Sequence, residues 1–107
     1  MENKDQIRYL EDRVAEEMRQ IFDPEIPVNI YDLGLIYGIE VTENLDVKLT
    51  MTLTSPNCPE AESIPIRVEE AIKSIRGVKS TEVILTFEPP WDKDMMSDSA
   101  MLELGFL

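Results

Sequence analysis

Between Leu45 and Ile75 the spacing of apolar residues changes from two to three and four, and the change falls on a turn bracketed by prolines. Leu45, Val47, Leu49, Met51 and Leu53 alternate with Asp, Lys and Thr, the period of a strand with one buried face. Ile64, Val68, Ala71, Ile72 and Ile75 then follow helical spacing as far as Gly77, a natural left-handed stop. The strand ends at Thr54-Ser55-Pro56, and Cys58-Pro59 leads into the helix. Because Pro65 interrupts the start, the spacing predicts one loose turn from Pro59 and a main helix from about Ile64.

From Lys4 to Phe22, Ile7, Leu10, Val14, Met18 and Ile21 form one apolar stripe, predicting a helix with Asn3 at its N-cap, Gln6 reaching back, and Pro24 ending it. Leu33, Leu35, Tyr37, Ile39 and Val41 alternate as another strand, joined to the next by the turn-prone Thr42-Glu43-Asn44, so the two should form an antiparallel hairpin. Thr81 to Phe87 is β-branched and apolar enough for a third strand, closed by Pro89-Pro90. A last helix is expected from about Asp94 to Leu104, stopped by Gly105. The predicted class is α+β: a two-layer α/β sandwich in the order α-β-β-α-β-α, with a small three-stranded mixed sheet and the helices on one face. With the first strand central, the third would lie antiparallel beside it.

At 107 residues, 43% hydrophobic and 30% charged, the chain suits one domain over residues 1–107 with a modest core. Ten basic residues against 22 acidic ones give a formal charge of −12, which repels phosphate backbones and anionic membranes, so neither nucleic acid nor a membrane is an expected partner. The same balance supports solubility and favours basic partner surfaces. The charged start resembles no leader, and no apolar run approaches the ~20 residues that span a bilayer, so a cytoplasmic location is expected.

Two absences remove whole classes of chemistry. There is no histidine, which excludes Ser-His-Asp and Cys-His mechanisms and the commonest zinc ligand, and there is one cysteine, which excludes an internal disulfide or a four-cysteine metal site. Any thiol chemistry must be shared with something else. A lone cysteine is ordinarily a small buried hydrophobe, but Cys58 stands between Pro56 and Pro59 where a strand passes to a helix, a geometry that presents a side chain. The helix dipole favours its thiolate, while Glu60 and Glu62 oppose it. As an enzyme nucleophile it would need Asp23, Glu25 or Asp32 as base.

Other features have simpler explanations beside functional ones. Asp23-Pro24-Glu25 sets two carboxylates at a helix end, or is plain turn chemistry. Asp32-Leu33-Gly34 leads into a strand. Trp91, after Pro89-Pro90, is either a recognition hook or a ring packed on the core. Thr50, Thr52 and Thr54 suit a solvent-facing strand row, and Met95, Met96 and Met101 are gap-fillers on the last helix.

Taken together, residues 23–37 (DPEIPVNIYDLGLIY), 51–59 (MTLTSPNCP), 87–91 (FEPPW) and 101–105 (MLELG) resemble the SufT and PaaD-like family of metal-sulfur cluster assembly proteins, from Asp23 to the C-terminus. The resemblance implies an α/β domain acting in iron-sulfur cluster maturation or delivery to client proteins alongside the SUF machinery. It puts the functional cysteine on Cys58 and makes Asp23 and Glu25 candidate co-ligands or structural partners of the loop. Thr54, Ser55 and Pro56 match the Thr-Ser-Pro stretch, with Asn57 and Pro59 completing the binding loop and Trp91 a candidate partner surface. Asn57 stands where a small residue such as Gly is common, and Pro65 disturbs the following helix turn.

Some relatives are fused to a P-loop cluster-carrier ATPase; no Gly-x-x-x-x-Gly-Lys motif exists here, so an ATPase would be a separate chain. The cysteine-bearing C-terminal region of the longer phenylacetate-pathway members is also lacking. The expected role is therefore an accessory protein, not an enzyme, whose Cys58 thiolate ligates iron or an iron-sulfur cluster transiently, with no stable cofactor. A [2Fe-2S] centre usually takes four protein ligands, so a homodimer or a second assembly protein must contribute. The alternatives are a metal-free adaptor in the same pathway and a cysteine-dependent thiol enzyme.

Overall fold

The computed structural model describes residues 2–23, 26–54 and 63–106, with side chains from Lys4 at the amino end. The chain opens with α1 (Glu2–Met18), whose Leu10, Val14 and Met18 are buried, as the stripe requires. Asn3 already lies inside this helix and is not its N-cap. The helix also ends before Pro24. Gln20 and Ile21 donate back to Glu17 and Met18 at 3.0 and 3.3 Å, tightening the last turn, and Ile21 then accepts a hydrogen bond from the Ile30 amide, which draws the chain off the axis.

Strands β1 (Ile36–Val41) and β2 (Asp46–Met51) form the expected antiparallel hairpin, in register from Val41 opposite Val47 to Ile36 opposite Met51, with a bulge between Ile36 and Gly38. Leu33 and Leu35 precede the strand. Leu45 belongs to the turn, at φ 67°, and β2 begins after it. Helix α2 (Ser63–Lys73) contains Pro65 as its third residue. Pro65 does not disturb the helix, because first-turn amides have no intrahelical partner to lose. Gly77, at φ 102°, completes the turn that follows.

Strand β3 (Ser80–Leu85) pairs with β2 in parallel, Asp46 opposite Ser80 through Met51 opposite Leu85. The order is β1-β2-β3. The second strand, not the first, is therefore central, and the third lies parallel beside it: α2 returns the chain to the starting end of β2, a crossover that makes the neighbouring strand parallel. Lys79 N–H to Leu45 O and Ser80 Oγ to Asp46 Oδ1 pin that starting end. Val47, Leu49 and Met51 point into the core while Lys48 is exposed; α1 packs on β1 and α2, and α2 on β3.

The final helix is divided. A 3-10 turn (Lys93–Met95) is capped by Asp92, and α3 (Asp98–Glu103) is capped by Ser97, whose Oγ accepts from Ala100 N–H at 3.1 Å. Met96 between them is extended and buried in the core, and turning it inward breaks the helical run. Among the described residues no helix is long and apolar enough to cross a membrane.

Candidate functional site

Three backbone hydrogen bonds join the Asp23 loop to the end of β2. Ile30 N–H donates to Ile21 O at 2.8 Å, Leu35 N–H to Ile30 O at 3.1 Å, and Thr52 N–H to Leu35 O at 2.9 Å. On the other side Thr86 N–H reaches Met51 O at 2.9 Å. Segments distant in sequence thus meet where β2 finishes and where the link to α2 departs. Residues 24–25 and 55–62 lie outside the described residues, so Glu25, Ser55, Pro56, Asn57, Cys58 and Pro59 carry no structural account. The ends of their segments, Asp23, Thr54 and Ser63, do.

Asp23 is 8% exposed, and its Oδ1 accepts the Ile26 amide at 3.0 Å while its own N–H bonds Val28 O at 3.2 Å. This is an Asx-type turn: the carboxylate replaces a backbone acceptor that the tight loop cannot supply. Beside it Asn29 and Asp32 clasp one another, Asn29 donating to Asp32 Oδ2 and Asp32 N–H to Asn29 Oδ1, both at 2.8 Å. Asp23 therefore shapes the start of this loop through Ile26 and Val28. Replacing it by Asn, which keeps an amide oxygen for Ile26, should leave urea unfolding close to wild type. Asp23→Ala strands that N–H and should cost about 1–2 kcal/mol.

Thr54 is half-buried at the start of the link. Thr52, expected on a solvent-facing row, is fully buried, and its Oγ1 has no hydrogen-bond partner. The chain beyond β3 is held at this end of the sheet by Thr86 N–H to Met51 O and by the Tyr37 hydroxyl, which donates to Pro89 O at 2.7 Å.

Trp91 is half-buried, packs against the core, and donates its indole N–H to Leu33 O at 2.7 Å. Its ring also lines an apolar groove with Ile26, Pro27, Met96 and Phe106. Sequence reasoning named Trp91 but missed the rest of the groove. Its walls come from residues 26–27, 91–96 and 104–106, and no spacing pattern links three such segments. Among the described residues, no group of three or more cysteine or carboxylate side chains converges as a metal site.

The molecule is thus a small α/β domain in which backbone hydrogen bonds tie the Asp23 turn to the end of the central strand, beyond which the sequence passes to Cys58. The chain belongs to the iron-sulfur cluster assembly protein family, which it matches over residues 11–85. It is 55% identical, over 91% of its own length and 92% of the relative's, to an Fe-S protein maturation auxiliary factor of Porphyromonas gingivalis. It is 39% identical to the Fe-S protein maturation auxiliary factor SufT of Staphylococcus aureus, over 79% of this chain and 97% of that one. The fold superimposes with a TM-score of 0.86 on a Bacillus anthracis domain of unknown function, 33% identical and covering 95% of this chain and 97% of that one.

Proposed function

We propose that this chain is a non-enzymatic, cytoplasmic accessory factor of iron-sulfur protein maturation. In this role the Cys58 thiolate holds iron, or a cluster in transit, at an interface with a second copy or another assembly protein. The accessory role is carried by the family and by relatives named as Fe-S protein maturation auxiliary factors. The observation that supports Cys58 is the relay from Ile21 through Ile30 and Leu35 to Thr52, which ties the acidic loop to the strand end from which the cysteine link departs. One thiolate and no imidazole per chain make the cargo shared, because a [2Fe-2S] centre usually takes four ligands. Two copies supply two thiolates, and Asp23, Glu25 or an external thiol completes the set. A separate P-loop ATPase and client proteins are the partners this implies. Sharing also favours handing cargo on over keeping it.

The test is anaerobic reconstitution with iron and sulfide on wild type and Cys58→Ala, read with molecular mass. Wild type should develop visible charge-transfer absorption, and Cys58→Ala should lose essentially all of it. Colour accompanied by dimerisation supports bridging, whereas colour in a strict monomer overturns it. A colourless wild type overturns carriage. Asp23→Asn separates loop shaping from ligation, since it keeps the fold and lowers iron uptake only if the carboxylate is a ligand.

The groove beside Trp91 favours one second reading, that of a metal-free adaptor. In that case Cys58→Ala leaves partner binding unchanged. Thioester or persulfide turnover dependent on Cys58 is not expected in either case, as no histidine is present to serve as base.

A further inference from the structure

The groove between the 26–27 turn and the C-terminal segment has a volume of about 340 Å³. Ile26, Pro27, Trp91, Met96, Leu104 and Phe106 form its walls. Hydrogen bonds within the chain hold those walls in place. Trp91 is fixed to Leu33 O, the Ser97 amide donates to Asp32 O at 2.8 Å, and Phe106 N–H folds back to Met101 O at 2.7 Å through Gly105 at φ 84°. Phe106 nevertheless stays 56% exposed, so the apolar trough remains open on one side.

The C-terminal segment that builds the groove is strongly acidic. Asp92, Asp94, Asp98 and Glu103 are all exposed on the segment that builds it. Lys93, the one basic residue between Trp91 and Phe106 in the sequence, lies over the Phe106 ring at 5.4 Å and so covers a wall of the groove.

We propose that this groove seats a short apolar segment of a partner protein, flanked by lysine or arginine. Apolar walls require an apolar occupant. The four carboxylates, on a chain of net charge −12, select basic flanks and work against a second copy of this chain. The volume is near the low end of ligand pockets, roughly 300–1,000 Å³, which suits a few side chains rather than a folded surface. The described walls of the groove belong to residues 26–27, 91–96 and 104–106, so docking there can bring a client or assembly protein to the chain without ligation by the thiol.

Trp91 is the single tryptophan and reports the groove directly. The probe is a synthetic peptide of about a dozen residues, free of aromatic residues, with a Leu-rich centre between two Lys-Arg pairs. Titrated into the full-length protein, it should shift Trp91 emission saturably, and more weakly as salt rises from about 0.05 to 0.5 M. A counterpart with Glu-Asp flanks, and one with Ser replacing Leu, should each bind about tenfold more weakly or worse. Phe106→Asp should abolish the shift while Phe106→Leu retains it, and Cys58→Ala should bind as wild type, which keeps this test separate from the cluster test. Equal affinity for the acidic peptide, unchanged binding by Phe106→Asp, or no saturable shift up to about 1 mM overturns the proposal. Emission that changes with protein concentration alone assigns the groove to a second copy and overturns it too.

Discussion

Gly34→Ala is expected to destabilise the protein by about 3 kcal/mol, lowering the melting temperature by roughly 10–20 °C. Gly34 sits at φ 83°, where an L side chain costs about 1–2 kcal/mol. A Cβ there would also stand 2.8 Å from the Met95 carbonyl carbon and closer still to its oxygen. Backbone cannot turn aside as a side-chain tip would, so the C-terminal segment must move off the 29–35 turns. Trp91 emission should therefore shift to the red in the variant, since its anchor, Leu33 O, is next to the substituted position. Gly38→Ala is the control: nothing stands within 4 Å of its Cβ position, and thermal unfolding should be nearly unchanged. Equal melting of the two variants would remove the close approach of Gly34 to Met95 as a determinant of this fold.

Leu49→Ala should cost about 3 kcal/mol in chemical denaturation, and more than Ile39→Ala. Leu49 is fully buried on the central strand, opposite Ile39 on one side and Val83 on the other. Truncating it opens a cavity beneath both neighbours and the helices. Ile39 lies on the edge strand and is only half-buried, so its truncation should cost about 1–2 kcal/mol, because solvent and neighbours can collapse into the space. Had the first strand been central, the ranking would reverse. A larger loss for Ile39→Ala therefore contradicts the strand order.

The Gly34 effect bears on function through one end of the sheet. Gly34 lies within the turns that connect the Asp23 loop to Thr52, and the C-terminal segment that it receives also builds the groove at Trp91. A change that loosens this packing should weaken peptide docking and disturb the base of the cysteine link together. Cys58→Ala touches only the second.

Element types were legible because each carries a local period. The stripe Leu10, Val14 and Met18, the alternation Val47, Leu49 and Met51, and the spacing Ile64, Val68 and Ile72 all bury the faces they indicate. The singular Cys58, the missing histidine and the acidic balance are likewise properties of composition, and they exclude a multi-thiolate or imidazole metal site within one chain before folding is considered. Boundaries were less legible, since α1 stops where Ile21 meets Ile30, and the last helix divides where Met96 turns into the core.

Strand order, the burial of Thr52 and the groove around Trp91 were decided by tertiary structure alone. Each depends on contacts between segments far apart in the chain, such as Tyr37 with Pro89 or Leu33 with Trp91. Periodicity reports which face of an element is buried, but it holds no information about which distant segment covers that face.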